Sequence, residues 1–482
     1  MNTLFKRAAL SAAVPLPLLS LLISPVYAQV LTPIDNSLAF YFPVGTAIDS
    51  SDLTGLHANL LTQHFNSVTS RSDMLWSAIE PSKGTLTSAT ADAEVAFALS
   101  KNMQIRGQTL VEATGANTPL YAFADGTNSP ANQAVVTANI QEHVQTVVQH
   151  FGASLYAWDV VSDLIDPSQP DCLYHGQFYG VLGKSYVDIA LQAARQYAPP
   201  GTRLYINDNT TTTPSGLACM ISVAQDLQNR GIPIDGVGHE MHVNIDFPGA
   251  AAVTSAVTAV ANLGLDNQVT QFDESVYNAG DNTSNYGAGG GIVPPSVLAQ
   301  QGYLYENYFK AFRQLKGKIS AVTIWGLADD DTWLDSFPVT RLDAPLPFDT
   351  NLQAKPAYWG IVDPTQLPGW GLGFTISSKT GYSNARVWTI DAANSGPGAA
   401  FTTAIGGFTL TQVAGAACIP IVTPPSGYPI LLGDIAAGGS ASVSFAIDFT
   451  GCPALARFAL SMPWSAANGA DAGTFSLGNQ FR

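Results

Sequence analysis

Runs of Val, Ile, Leu and aromatic residues without clean alternation cover residues 39–48, 66–74, 104–111, 155–163, 203–208, 236–242, 268–273 and 321–326. Short apolar runs of this kind predict strands buried on both faces, as in a parallel sheet covered by helices. Between them, apolar residues recur at steps of three and four. In 134–151 the repeat is Val136, Ile140, Val144 and Val147-Val148, and similar spacing marks 186–197, 217–229, 251–263 and 297–315. That period predicts amphipathic helices. Eight strands alternating with helices over residues 35–364 predict an α/β fold, a (β/α)8 TIM barrel. Polar residues gather at the strand ends, where such barrels build their sites.

The rhythm changes after Pro364. Ala441, Val443, Phe445, Ile447 and Phe449 alternate with small or polar residues, and Phe458, Leu460, Met462 and Trp464 do the same. Period two, broken by Gly and Pro, predicts a small all-β sandwich over residues 372–482, joined by a linker at 365–371. Trp370, Tyr428 and Trp464 could form a sugar platform there, but core packing is the preferred reading.

The N-terminus carries a processing signature. Lys6 and Arg7 precede an apolar run, and Val26-Tyr27-Ala28 offers a small-residue cleavage site before Gln29. Residues 1–28 are therefore expected to be a signal peptide, so that the mature protein is secreted or periplasmic and leaves no membrane segment after cleavage. Hydrophobic residues make up 46% of the 482 and charged residues 12%, enough for a sizeable core. The formal net charge of −16 repels phosphate backbones and argues against nucleic acid as a partner. Neutral polysaccharides are not excluded. An exported chain with four cysteines favours disulfides, and proximity pairs Cys172 with Cys219 and Cys418 with Cys452. No C-x-x-C is present, and no metal or cofactor is expected.

Four segments carry a resemblance: "SDMLWSAIEPSKG" (72–84), "YAWDVVSDLIDP" (156–167), "RLYINDN" (203–209) and "AVTIWGLADDDTWL" (321–334). With "GVGHEMH" and "PFDTNLQAKPAYWGIVDP" in the same order, residues 35–364 resemble glycoside hydrolase family 10. The resemblance implies a barrel of the retaining endo-β-1,4-xylanase type, acting on or binding a xylan-type polysaccharide, without a cofactor and as a monomer. Such an enzyme needs an acid/base carboxyl and a nucleophilic carboxylate. The family's W-D-V-V-N-E reads Trp158-Asp159-Val160-Val161-Ser162-Asp163, which puts Asp163 at the acid/base position. The T-E-L-D pattern reads Thr270-Gln271-Phe272-Asp273, which puts Gln271 at the nucleophile position.

Other departures surround that pair. A sugar-contacting His becomes Gln108, an aromatic wall becomes Glu112, and the Asn and Lys of E-N-E-M-K-W are lost in Arg71-Ser72-Asp73-Met74-Leu75-Trp76. His242 and Asp273 match the pair that orients the nucleophile. Trp325 and Trp333 match the aromatic residues over the central subsites. Trp76, Gln108 and Glu240 complete the expected substrate-binding set. The reading is thus a xylanase-like protein whose retaining hydrolysis is impaired. One rival is a hydrolase with relocated carboxylates drawn from Glu112, Glu240, Asp163 and Glu274. Another is a non-catalytic surface or carbohydrate-binding protein.

Overall fold

The runs read as buried strands become the staves of a closed barrel. In the computed structural model, residues 31–282, 286, 292–396, 398–467 and 471–482 are described, and Pro33–Arg482 forms one unit. The expected signal peptide at 1–28 lies outside the described residues. The barrel strands are β1 (Val44–Ile48), β2 (Ser67–Ser70), β3 in two pieces (Gln104–Gly107 and Val111–Glu112) and β4 (Ala157–Ser162). They continue as β5 (Arg203–Asp208), β6 (Gly236–Asn244), β7 (Asp266–Ser275) and β8 (Ile319–Ile324). Each pairs in parallel with the next, and β8 pairs with β1, so no barrel edge is left open.

Several expected strands run on into loops at the mouth. The run 39–48 yields a strand only from Val44, because Ile34–Leu38 is helical and Pro43 has no N–H to donate. The run 66–74 pairs only through Ser70; the polar residues after it turn over the barrel top. The run 104–111 breaks at Gln108-Thr109, a cis peptide, and Leu110 rejoins the ladder by donating to the Asp159 carbonyl at 3.0 Å. Three helices start earlier than their apolar repeat, at Pro130, Pro214 and Pro295. Proline suits the first helical turn, where its missing N–H would have no partner, and Ser129 and Thr213 cap two of these starts through side-chain oxygens.

Under the mouth the barrel interior is polar. Arg106 on β3 forms a fully buried ion pair with Asp159 on β4, one of its bonds being 2.6 Å, and donates to Gln268 on β7 at 2.9 Å. Gln268 in turn donates to the Tyr205 hydroxyl on β5 at 3.0 Å. Four strands are tied together below the site by groups whose partners are already assigned. No helix among the described residues is long and apolar enough to cross a membrane.

The sandwich follows from Leu372. One sheet holds Leu372–Thr380, Arg386–Asn394, Ser440–Asp448 and Ile421–Thr423. The other is built around Arg457–Ala466 and Ala400–Ile405. Trp388, Phe445, Phe449, Phe458 and Met462 fill the space between the sheets. Trp464 packs against that core, and Trp370 packs against Tyr303 of helix Pro295–Gln314, their rings tilted with centroids 4.1 Å apart. Neither Trp is a free sugar platform; Tyr428 is more exposed. Tyr303 also donates to the Pro368 carbonyl at 2.7 Å, so the linker is pinned to the barrel's outer helix. Both expected disulfides form, each with its Cα atoms 5.2 Å apart.

Breaking one partner of a buried ion pair leaves an uncompensated charge and typically costs about 3–5 kcal/mol. Arg106→Met should therefore lower unfolding free energy by an amount in that range, measured by urea denaturation. Adding Asp159→Leu should recover most of it. A single-variant loss below about 1 kcal/mol would show that the pair does not support the barrel.

Candidate active site

The register of two strands assembles the centre of the site. β6 and β7 align Glu240 with Gln271 and His242 with Asp273. His242 Nδ1 lies 2.9 Å from Asp273 Oδ2, and its Nε2 lies 2.8 Å from Gln271 Oε1. Trp333 Nε1 donates to the same Asp273 oxygen at 2.7 Å. Gln271 Nε2 donates to Gln108 Oε1 at 3.2 Å, and Gln108 Nε2 donates to the Arg71 carbonyl at 3.0 Å. Burial works against a charge on His242. Asp273, the bond to Gln271 and the field of Asp163 outweigh it, so its pKa lies above the ordinary histidine value.

Asp163 sits just past β4 at φ +54°, a conformation that non-glycine residues rarely adopt. Its amide donates to the Asn207 carbonyl at 3.1 Å, and Asn209 Nδ2 lies 3.4 Å from its Oδ1. Burial, then the negative fields of Asp208 and Glu112, push the Asp163 carboxyl up to about 7, against the opposing pull of His242. Glu240 accepts from Asn207 Nδ2 at 2.6 Å, and burial plus Asp163 and Asp208 raise its pKa well above the usual carboxylate range. Glu112 is held by Thr114 and by Asn117 at 2.8 Å. Carboxyls that keep a proton near neutral pH can act as proton donors.

Gln108, Asp163, Glu240, His242, Gln271, Trp325 and Trp333 all line one cavity of about 330 Å³, together with Glu112. Asp273 is fully buried behind His242 and acts on the cavity through it. Trp76 is a correction. It is 2% exposed, stacks on His143 at 3.8 Å and donates to Tyr121 at 2.7 Å, so it serves the core rather than the cavity. Glu274 is a second correction. It is fully buried beside Tyr305 and Tyr308, with neither side-chain oxygen hydrogen-bonded, and it does not line the cavity. Strand alternation places it on the opposite face from Asp273.

Phe337 was not expected. It stacks on Trp333 at 5.1 Å and is 57% exposed, so it extends the aromatic wall over the cavity. The signal was present as an aromatic four residues beyond Trp333 in a polar loop. Arg71 also reaches the cavity, where it pairs with Asp331 at 2.8 Å and with Asp49 at 3.5 Å. Among the described residues, no group of three or more His, Cys, Asp or Glu could hold a metal ion.

The sequence profile of Glycosyl hydrolase family 10 matches residues 34–364. The chain belongs to glycosyl hydrolase family 10. Among similar family members is the thermostable celloxylanase of Thermoclostridium stercorarium, 34% identical over 336 residues that cover 68% of this chain and 86% of that one. Endo-1,4-beta-xylanase A of Halalkalibacterium halodurans is 33% identical over 67% of this chain and 84% of its own. Among solved structures, xylanase B from Clostridium stercorarium F9 superimposes with a TM-score of 0.67 at 33% identity, covering 69% of this chain and all of that one. The family match ends where the sandwich begins.

The Asp163 carboxyl supplies a pH test. Its folded pKa, about 7, lies above the ordinary 3.8, so the unfolded chain releases this proton first as pH rises. Stability tied to this group is whole below about pH 4 and is lost progressively up to about pH 7. Asp163→Asn should thus be more stable than the parent at pH 8, by roughly 1–3 kcal/mol since water partly screens the group, and equal to it near pH 4. Paired denaturation curves at the two pH values check this. An unchanged or reduced stability at pH 8 would show that Asp163 is ionised without penalty.

Proposed function

We propose that the barrel cleft holds a β-1,4-xylan-type chain and that its normal retaining hydrolysis is impaired. The observation that carries this reading is the state of Gln271. Its amide donates to Gln108 and accepts from His242, so no carboxylate faces the cavity at the position matching the family nucleophile. A neutral amide oxygen is a weak nucleophile and cannot offset the charge of an oxocarbenium-like transition state. Retaining hydrolysis needs a second carboxyl about 5–5.5 Å from the first. Asp163 keeps a proton to donate, but its side chain is one methylene shorter than glutamate, and misplacement of about 1 Å can cost a hundredfold.

Binding is a separate matter from chemistry. Trp325, Trp333 and Phe337 offer apolar faces to sugar C–H groups, and stacking of that kind needs no carboxylate. Gln108 and Asn209 add polar groups suited to hydroxyls. A similar solved structure, 32% identical with a TM-score of 0.65, is a mutant in complex with xylotriose. The Lys6-Arg7 start and the apolar run after it support export of the mature chain from Gln29; N-terminal sequencing of the exported protein would test that.

A second reading has one observation in its favour. Asp163, Glu240 and Glu112 line the same cavity, and an inverting pair needs carboxyls about 6.5–9.5 Å apart. Glu274, buried elsewhere, cannot belong to such a pair.

Calorimetry with a xylo-oligosaccharide and a reducing-sugar assay on soluble xylan separate these readings. The full chain should bind the oligosaccharide, and Phe337→Ala should weaken binding about fivefold, the loss of roughly 1 kcal/mol of stacking. Hydrolysis should be absent or very slow. Gln271→Glu should give a trace of retaining hydrolysis. Gln271→Glu with Asp163→Glu should gain far more than either alone, because groups acting as a unit do not add. Substantial turnover by the parent, unaffected by Gln271→Ala, would contradict the proposal and favour relocated carboxylates.

A further inference from the structure

Gln271 is not an isolated substitution. Gln108 Nε2 lies 3.0 Å from the Arg71 carbonyl oxygen and 3.4 Å from that of Ser70. Turning this amide over would set its oxygen against two backbone oxygens, so the backbone fixes which end is NH₂. Gln108 therefore presents Oε1, an acceptor, toward position 271. Only a donor satisfies it, and Gln271 Nε2 at 3.2 Å is that donor. Gln271 must then turn its own oxygen to His242 Nε2, 2.8 Å away. That ring nitrogen carries a proton. The other, Nδ1, faces the Asp273 carboxylate at 2.9 Å and carries one too.

We infer that Gln108 is the positioning residue that commits this site to an amide at 271 and holds His242 as an imidazolium. The direction of hydrogen bonding runs from His242 into Gln271, from Gln271 into Gln108, and from Gln108 into the backbone after β2. A carboxylate at 271 would meet Gln108 acceptor to acceptor. Both side chains are buried, Gln108 at 6% and Gln271 at 8% exposure, so water cannot easily relieve that contact. Restoring a nucleophile thus takes two changes, the second giving position 108 a donor.

The groups around His242 are consistent with a standing cation. Asp273 on β7 bonds it directly. Asp163 after β4, Glu240 on its own strand and Glu112 on β3 share its cavity, and burial favours a proton on Asp163 and on Glu240. Arg71, the opposing charge there, is paired with Asp331 and Asp49. On the far side of His242, Asp281 and Arg341 line the adjoining cavity.

The test is ¹⁵N NMR of the histidine rings in the full chain, with His242 assigned by its loss in His242→Asn. Both ring nitrogens of His242 should be protonated at pH 7. Gln108→Leu removes the acceptor and lets Gln271 turn its NH₂ to the ring. The His242 titration midpoint should then fall by a unit or more, toward a neutral Nδ1–H ring. Gln108→Leu with Gln271→Glu puts a group that can only accept beside the ring and should return His242 to the doubly protonated state, which guards against a merely structural effect. A neutral His242 in the parent, or an unmoved midpoint in Gln108→Leu, overturns the inference.

A hydrolysis arm rests on the proposed function as well. Gln271→Glu with Gln108→His should hydrolyse xylan at least tenfold faster than Gln271→Glu alone, and equal measurable rates would again overturn the role of Gln108. If neither variant hydrolyses while the NMR result is as expected, the proposed function fails and the Gln108 inference stands.

Discussion

A hydrogen bond has a direction, and in this site the direction is set by two backbone carbonyls. The carbonyls of Ser70 and Arg71 take the NH₂ of Gln108, and every polarity after that follows. Gln271 must donate on one side and accept on the other. His242 must donate to Gln271 and to Asp273, whose second donor is Trp333. The chain of bonds runs from β2 through β3 and β7 to β6 and ends on the loop after β8. One substitution within it changes what its neighbours can be.

The barrel makes this chain possible by holding strand ends in fixed register. Glu240 lies opposite Gln271 and His242 opposite Asp273, so the side chains meet without any loop having to find its place. Below them Arg106 and Asp159 tie β3 to β4, and Gln268 carries the contact on to β7 and β5. The rigid floor has a consequence for the acids. Asp163 and Glu240 share one cavity, and burial with their mutual repulsion favours the protonated form of each. The cleft keeps proton donors and aromatic walls while lacking a carboxylate at 271. The proposed function, holding a neutral sugar chain rather than cleaving it, rests on that combination.

The barrel and the sandwich were legible because burial writes periodicity into the sequence: short runs rich in Val, Ile, Leu and aromatics without alternation across the barrel strands, strict alternation at Val443–Phe449. Strand ends were less legible. Residues 71–74, Arg-Ser-Asp-Met, were read as the end of a strand, yet they turn over the mouth, as their polarity suits. Asp163, Gln271 and His242, named from motif positions, line one cavity. Trp76, expected at the substrate, instead packs in the core against His143, Phe178 and Tyr121. Glu274 looked like a spare carboxylate in sequence; only strand alternation and packing against Tyr305 and Tyr308 show it turned away from the cavity. The partnership of Gln108 with Gln271 could not be read at all. The two lie 163 positions apart, and their bond depends on carbonyls that any residues could supply.

The central claim is that no side chain in the cleft can take a glycosyl group from a retaining reaction. Covalent trapping tests it directly. A 2-deoxy-2-fluoro xylobioside with a good leaving group slows breakdown of a glycosyl-enzyme, so any competent nucleophile becomes labelled. The intact mass of the full chain should be unchanged after prolonged incubation. A stoichiometric gain equal to the fluorosugar unit, located by peptide mapping to a carboxylate lining this cavity, would contradict the account.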